Sequence, residues 1–339
     1  MYLMPKPPFA ISASLSRHLP KSRTAAATVA ASDIRVAPYR PPQLPFPTRP
    51  CNITTSLLPS LSSRNISTQT NSKSRTQSTV RNIAKMSTMP AQHGHSEACC
   101  NIPPIVSHGY DPKGSYEELG GYKSYVTGPS DATKGVVTIY DIFGYYPQTL
   151  QGADIVALSG TTKYKVFIPD WFNGDPADLS WFPPDNIEKQ QKLGAFFQKH
   201  PPPIIASRVP GYVKALSEKY PGIKEWAILG FCWGGKVVSL VTASPENPFK
   251  VGIEAHPAMI DPKDAEGIKI PLALLASKDE NPGDVKKFEA NLTGPKHVET
   301  FPDQIHGWMA ARSDLDDERV KSEYKRGYQV VLNFLSQHL

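Results

Sequence analysis

The sequence predicts an α/β domain with a mostly parallel sheet and helices on both faces, and three observations predict it. From about residue 123 onward, short apolar runs rich in β-branched residues alternate with stretches of helix length, the pattern of successive strand-to-helix crossovers. A glycine-framed turn, residues 230–235, joins one strand run directly to a helix run. Near the end, Val320, Tyr324, Tyr328, Val331 and Leu335 recur at three- and four-residue spacing, which places them on one face of a helix over about residues 317–337.

Each element has its own justification. A first strand is expected near residues 123–126, and residues 135–140, with their β-branched core, form the next and end in Asp141-Ile142-Phe143-Gly144. A helix starts at Gln148, and the apolar run 165–169 is a further strand. The segments 171–176 and 181–184 mix aromatic residues with Gly, Pro, Asn and Asp, so they read as a loop excursion. Helices are expected over about 186–197 and 208–219, and Trp226-Ala227-Ile228-Leu229 is a short buried strand. A helix over 236–242, strands at 251–253, 270–276 and 298–301, and the final helix complete the alternation.

The chemistry centres on Gly230-Phe231-Cys232-Trp233-Gly234-Gly235. Here a cysteine occupies the position at which the Gly-x-Ser-x-Gly turn of α/β-hydrolases holds its serine. Flanking glycines allow a sharp turn, which pushes the intervening side chain out towards solvent. Two more polar residues follow in the order expected of that fold: Asp279 after one strand run and His306 after the next. A free thiol has a pKa of about 8.5, so it needs a base. His306 is the expected base, and Asp279 the carboxylate that fixes its tautomer. Ile142, in the loop after strand 135–140, and Trp233, next to the cysteine, are the expected backbone donors to an oxyanion. The expected fold is therefore an α/β-hydrolase.

Taken together, Tyr140–Gly144, Gly230–Gly235, Ser277-Lys278-Asp279 and His306-Gly307-Trp308 make the segment from about Cys99 to Leu339 resemble the dienelactone hydrolase (carboxymethylenebutenolidase) family, in particular its fungal members. The resemblance implies a single domain, a triad of Cys232, Asp279 and His306, and an acid ahead of the oxyanion loop that interacts with the resting thiol. That acid is Asp141 here, one methylene shorter than the glutamate of bacterial members. The family also implies arginines that hold a substrate carboxylate. No arginine occurs in residues 170–205, and Arg312 is the candidate that remains. Phe143, Tyr145 and Trp308 are the expected aromatic lining of an apolar pocket for a lactone or aryl ester.

Charge divides the chain. Twelve of the 37 Lys and Arg residues, but only one of the 31 acids, fall within the first 85 residues, so the net charge of +6 belongs to that segment. Residues 1–98 read as a disordered basic leader: a mitochondrial transit peptide, a plain tail, or an overextended start with Met86 as the true beginning of a cytoplasmic product. Four cysteines, Cys51, Cys99, Cys100 and Cys232, offer no disulfide framework and no paired Cys-x-x-Cys metal site. With neither a phosphate-binding loop nor a dinucleotide fingerprint, no cofactor or metal is expected. Basic residues in the domain are dispersed, and no apolar run reaches membrane-spanning length, so nucleic acid and membrane are not expected partners. The overall expectation is a monomeric or homodimeric hydrolase of small esters or lactones. The alternative is a silent fold member that binds a metabolite or senses oxidants through its thiol.

Overall fold

The computed structural model describes residues 109–339. The leader, the boundary near residue 99, and Cys51, Cys99 and Cys100 lie outside the described residues. Eight strands form one sheet: β1 (Ser115–Leu119), β2 (Tyr122–Thr127), β3 (Lys134–Ile139), β4 (Tyr164–Pro169), β5 (Glu225–Phe231), β6 (Val251–Ala255), β7 (Leu272–Ser277) and β8 (Lys296–Phe301). Their spatial order is β1-β2-β4-β3-β5-β6-β7-β8. Pairing is parallel from β4 across to β8, and antiparallel between β1 and β2 and between β2 and β4.

Seven helices are named in chain order: α1 (Pro147–Leu158), α2 (Ile187–Lys199), α3 (Pro202–Lys219), α4 (Trp233–Thr242), α5 (Asp264–Gly267), α6 (Pro282–Asn291) and α7 (Glu318–His338). After β3 the chain moves outward to β4, and after β4 it returns past β3 to start β5 on the other side. The strand order thus reverses between β3 and β5. In open α/β sheets, ligands bind at the carboxyl ends of strands beside such a reversal. Here the loop with Ile142 and the turn with Cys232 leave those two neighbouring ends.

Four elements differ from the sequence expectation, among them the short α5, which the sequence does not announce. β1 carries mostly exposed or half-exposed residues, so it has no apolar run to announce it. α3 starts six residues before the expected 208, because Pro202 and Pro203 suit a first turn, and the helix continues through Pro210. α6 was not expected at all. Asn281 caps it by accepting from the N–H groups of Gly283 and Asp284 at 2.8 and 3.2 Å, with Pro282 in the first turn.

α7 has the expected face. Tyr324, Tyr328, Val331 and Leu335 are all buried against the sheet, and Asp317 caps the helix by accepting from the Arg319 and Val320 N–H groups. The Tyr324 hydroxyl donates to the Gln148 carbonyl at 2.5 Å, and that of Tyr328 donates to the Met309 carbonyl at 3.0 Å. The helix is thereby tied to α1 and to the loop after β8. Gly152 of α1 makes this contact possible, since a Cβ there would lie 1.8 Å from the Tyr328 hydroxyl oxygen. Gly152→Ala should therefore lower stability by about 1–3 kcal/mol, the usual cost of overpacking, read as a lower urea midpoint with unchanged m-value.

Candidate active site

Cys232 sits at the junction of β5 and α4 with φ 53° and ψ −114°, a conformation that costs a non-glycine residue about 1–3 kcal/mol. The neighbours hold it there. A Cβ on Gly230 would lie 2.3 Å from the Gly234 carbonyl oxygen, and one on Gly234 would lie 2.3 Å from that of Ile139. Only glycine at both positions lets the first turn of α4 pack onto β5 and the end of β3. The Cys232 N–H donates to the Ala255 carbonyl at 3.1 Å, and its own carbonyl accepts from the N–H groups of Gly235 at 3.0 Å and Ala258 at 2.9 Å.

That close approach brings together the expected oxyanion donors. Trp233 is the first residue of α4, so its N–H needs no intrahelical acceptor. In the loop after β3, the Phe143 N–H donates to the Asp141 carboxylate and the Gly144 N–H to the Asp141 carbonyl, which leaves Ile142 as the residue of this turn whose N–H is not given to Asp141.

The histidine is in place, but its carboxylate partner differs from the expectation. Nδ1 of His306 lies 2.6 Å from Oε1 of Glu280, whereas Asp279 accepts the backbone N–H of His306 at 2.8 Å. Glu280 is in turn fixed by the Ser277 N–H, which donates to its second oxygen. The correction has a simple cause. Neighbouring residues in the tight turn after β7 point different ways, and Asp279 is turned to the main chain of the loop after β8. The adjacent pair Asp279-Glu280 was visible in the sequence, but not which of the two would face the ring.

His306 is completely buried. Burial alone disfavours the imidazolium, yet the Cys232 thiol and the Glu280 carboxylate outweigh it and hold the ring's pKa up at about 10. Beyond Nδ1, the ring meets the Cys232 thiol. Asp141 is buried as well, its two oxygens accepting from the Phe143 N–H at 3.0 Å and the Ala311 N–H at 3.2 Å. Burial and then the charge of Cys232 raise its pKa to about 6, against the opposing pull of Arg312.

The thiol itself departs from the expectation, because Cys232 is 0% exposed rather than turned to solvent. Asp141, His256 and His306 all feel its charge. His256, in the residue after β6, was not singled out in the sequence. Its ring is completely buried, stands edge-on to His306 with centroids 5.4 Å apart, and packs against Phe231 at 5.8 Å. A histidine followed by proline just past a strand was the available signal.

The remaining expected pocket residues separate. Phe143 lines an open cleft of about 480 Å³ together with Tyr146, Pro176, Leu179 and Trp181. Arg312 is buried, with its guanidinium 5.1 Å from the centroid of the Phe143 ring. Gly307, at φ 96°, makes room for the arginine stem, since a Cβ there would lie 2.8 Å from its Cδ. Tyr145 does not line this cleft. Its hydroxyl sits 2.8 Å from the Lys123 carbonyl and 2.9 Å from that of Ile168, and its ring packs on Tyr116 and Tyr140. Trp308 does not line it either. It is buried against Phe301 and Gly327, where it locks α7 to β8. Among the described residues no cluster of His, Cys, Asp and Glu is arranged to hold a metal ion, and no helix is long and apolar enough to cross a membrane.

The protonation of this site is measurable. In the intact protein the His306 ring should keep its proton until about pH 10. In Cys232→Ala the loss of the thiolate removes stabilisation of the imidazolium, so the ring should deprotonate at a lower pH, as read from side-chain nitrogen shifts in an NMR titration. An unchanged midpoint would mean that sulfur and ring are not electrically coupled.

Comparison with known proteins agrees with this architecture. The family model of the dienelactone hydrolase family matches residues 122–339. An AIM2 family protein of Schizosaccharomyces pombe is 36% identical over 64% of this chain and 88% of its own length. A carboxymethylenebutenolidase homolog of Mus musculus is 28% identical over 68% of this chain and 93% of its own. The crystal structure of a putative dienelactone hydrolase from Klebsiella pneumoniae superposes with a TM-score of 0.50 at 17% identity, covering 64% of this chain and 93% of that one, which is a likeness of fold. With the cysteine turn, the histidine loop and strands β2 to β8 all inside the matched region, this chain belongs to the dienelactone hydrolase family and is a hydrolase of the α/β-hydrolase fold.

Proposed function

We propose that the protein hydrolyses lactones or small carboxylic esters through a thioester on Cys232, with His306 as its base and acid and Glu280 as the group that orients the imidazole. The observation that carries this reading is the His306 ring held between the Glu280 carboxylate and the thiol of a cysteine strained at the strand-to-helix corner. The family membership and the printed name of the mouse relative support an ester or lactone as substrate.

The steps follow from the charges. The resting pair is a thiolate and an imidazolium, since each stabilises the other. Sulfur attacks the carbonyl carbon, and the oxygen's new charge is met by the N–H groups of Ile142 and Trp233. Each such donor is typically worth about 2.7–4 kcal/mol in the transition state. The C–O bond then breaks and the leaving oxygen takes the proton from His306. Water next adds to the thioester as His306 accepts its proton, and expulsion of the thiolate restores the pair. Asp141, when ionised, opposes the thiolate by like charge and so raises the energy of the resting sulfur, a burden relieved as the negative charge passes to the carbonyl oxygen. Asp279 acts on the position of His306 through its main chain.

The cleft beside Phe143 is the substrate's route. Phe143 borders the cleft and also packs against Arg312, which neighbours Asp141 and His256, so its ring stands between the open space and the buried charges. Burial of the thiol weighs against the oxidant-sensing alternative, because oxidation of cysteine follows exposure.

Cys232→Ala should abolish turnover of a lactone and aryl-ester panel, and mass spectrometry of the quenched intact enzyme should place the acyl group on the peptide with Cys232. Glu280→Gln should lower kcat by about 10³–10⁴-fold, the cost of a lost orienting carboxylate, and Asp279→Asn by far less; the reverse ranking would return the orienting role to Asp279. Phe143→Ala should speed alkylation of Cys232 by iodoacetamide, and an unchanged rate would rule the ring out as the barrier.

A further inference from the structure

His256 is a buried polar side chain beside the reacting groups that the mechanism above does not use. Neither of its ring nitrogens has a hydrogen-bond partner in another residue, although the residue is 0% exposed. Leaving buried polar atoms unsatisfied is costly, and sites that tolerate it commonly satisfy them with a ligand. The backbone is also strained, with φ 38°. Nothing in ordinary packing calls for an imidazole at such a point.

Its location is tightly specified. The His256 N–H donates to the Leu275 carbonyl at 2.7 Å, which fixes the residue to β7. The Ala255 carbonyl accepts the Cys232 N–H, and the Ala258 N–H donates to the Cys232 carbonyl. His256 thus lies between the two bonds by which this loop grips the nucleophile's own peptide. Its ring abuts that of His306, the group that handles the proton. The groups that act on it electrostatically are His306, Cys232 and Arg312, and burial together with the two cations holds it in the neutral form. A neutral imidazole has one N–H to give and one nitrogen that accepts.

We propose that His256 contacts the departing oxygen of the substrate: its N–H donates to the alkoxy oxygen as the acyl C–O bond breaks, and to the attacking water's oxygen when the thioester is hydrolysed. The proton that ends on the leaving group still comes from His306, and the electron pair of the breaking C–O bond remains on oxygen. His256 gains and loses no proton. The assignment rests on the thioester reading above and narrows it: the site is built for poor, oxygen-based leaving groups such as alkyl esters and unactivated lactones.

The test is a leaving-group series. We would measure kcat/KM for 4-nitrophenyl, phenyl and ethyl acetate and for δ-valerolactone with the wild type, His256→Gly and His256→Asn. Glycine suits the left-handed backbone and removes the ring; asparagine tolerates that backbone and retains an N–H donor. Expected for His256→Gly is a loss of roughly 10–100-fold on ethyl acetate and the lactone, the usual worth of a hydrogen bond to a charged oxygen, with 4-nitrophenyl acetate within a few-fold of wild type. His256→Asn should recover part of the loss on the poor leaving groups. An equal loss across the series would show a structural effect and overturn the proposal, and so would His256→Asn no better than His256→Gly on ethyl acetate. Failure of the underlying reading looks different: Cys232→Ala would then hydrolyse the whole series as well as wild type.

Discussion

The constraint on which the rest depends is the close approach of α4 to the ends of β3 and β5. Two missing side chains, at Gly230 and Gly234, allow it, and a Cβ at either would fall inside the van der Waals distance of a backbone carbonyl. From that approach follow the left-handed conformation of Cys232, the first-turn position of Trp233, and the nearness of Trp233 to the loop that carries Ile142. Strain of about 1–3 kcal/mol at one residue is a small fraction of what the surrounding parallel sheet supplies, and it is retained because β3, β5, β6 and α4 together over-determine the corner.

The fold was legible in the sequence because parallel strands buried on both faces leave continuous apolar runs. β3, β5, β6 and β7 each show one. β1 was not legible for the opposite reason: it sits at the sheet edge with exposed faces and pairs through its main chain. Chemistry and chain order led to Cys232 and His306, and the resemblance to Asp141; in the structure Cys232 acts electrostatically on the other two. The site was not legible where a choice depends on side-chain direction. Asp279 and Glu280 are adjacent, both acidic and both in the right loop, yet only one can meet Nδ1 when the other is engaged by the His306 main chain. Tyr145 and Trp308, expected in the pocket, do not line the cleft beside Phe143, on similar grounds. Aromatic rings next to catalytic loops serve equally well to lock those loops to the core, and these two do so.

Division of labour in the loop after β8 follows from Gly307. Its positive φ turns the chain immediately after the histidine, and the missing side chain lets Arg312 fold back beneath it. The Ala310 and Arg312 N–H groups both donate to the Gly307 carbonyl, at 2.9 and 3.3 Å, so the arginine's place is set by the same turn that sets the imidazole's. The Ala311 N–H then reaches Asp141. One short segment therefore delivers the base, a buried cation and a donor to the acid beside the thiol.

Electrostatics joins these parts. In the proposed resting state the buried site holds Arg312 and the His306 imidazolium against the Cys232 thiolate and Glu280, and Asp141 makes the balance negative when ionised. An uncompensated charge in such a place is costly, which is why burial is the largest influence raising the Asp141 pKa to about 6. In the proposed reaction the negative charge leaves sulfur and appears on the carbonyl oxygen, which faces the N–H groups of Ile142 and Trp233. The repulsion between Asp141 and sulfur is relieved in the same movement. A carboxylate that burdens the resting thiolate but not the tetrahedral state favours the transition state by difference, which is the only kind of binding that raises a rate. Both oxygens of this shorter aspartate accept from the N–H groups of Phe143 and Ala311, so the carboxylate is held by the main chain where its charge acts on Cys232.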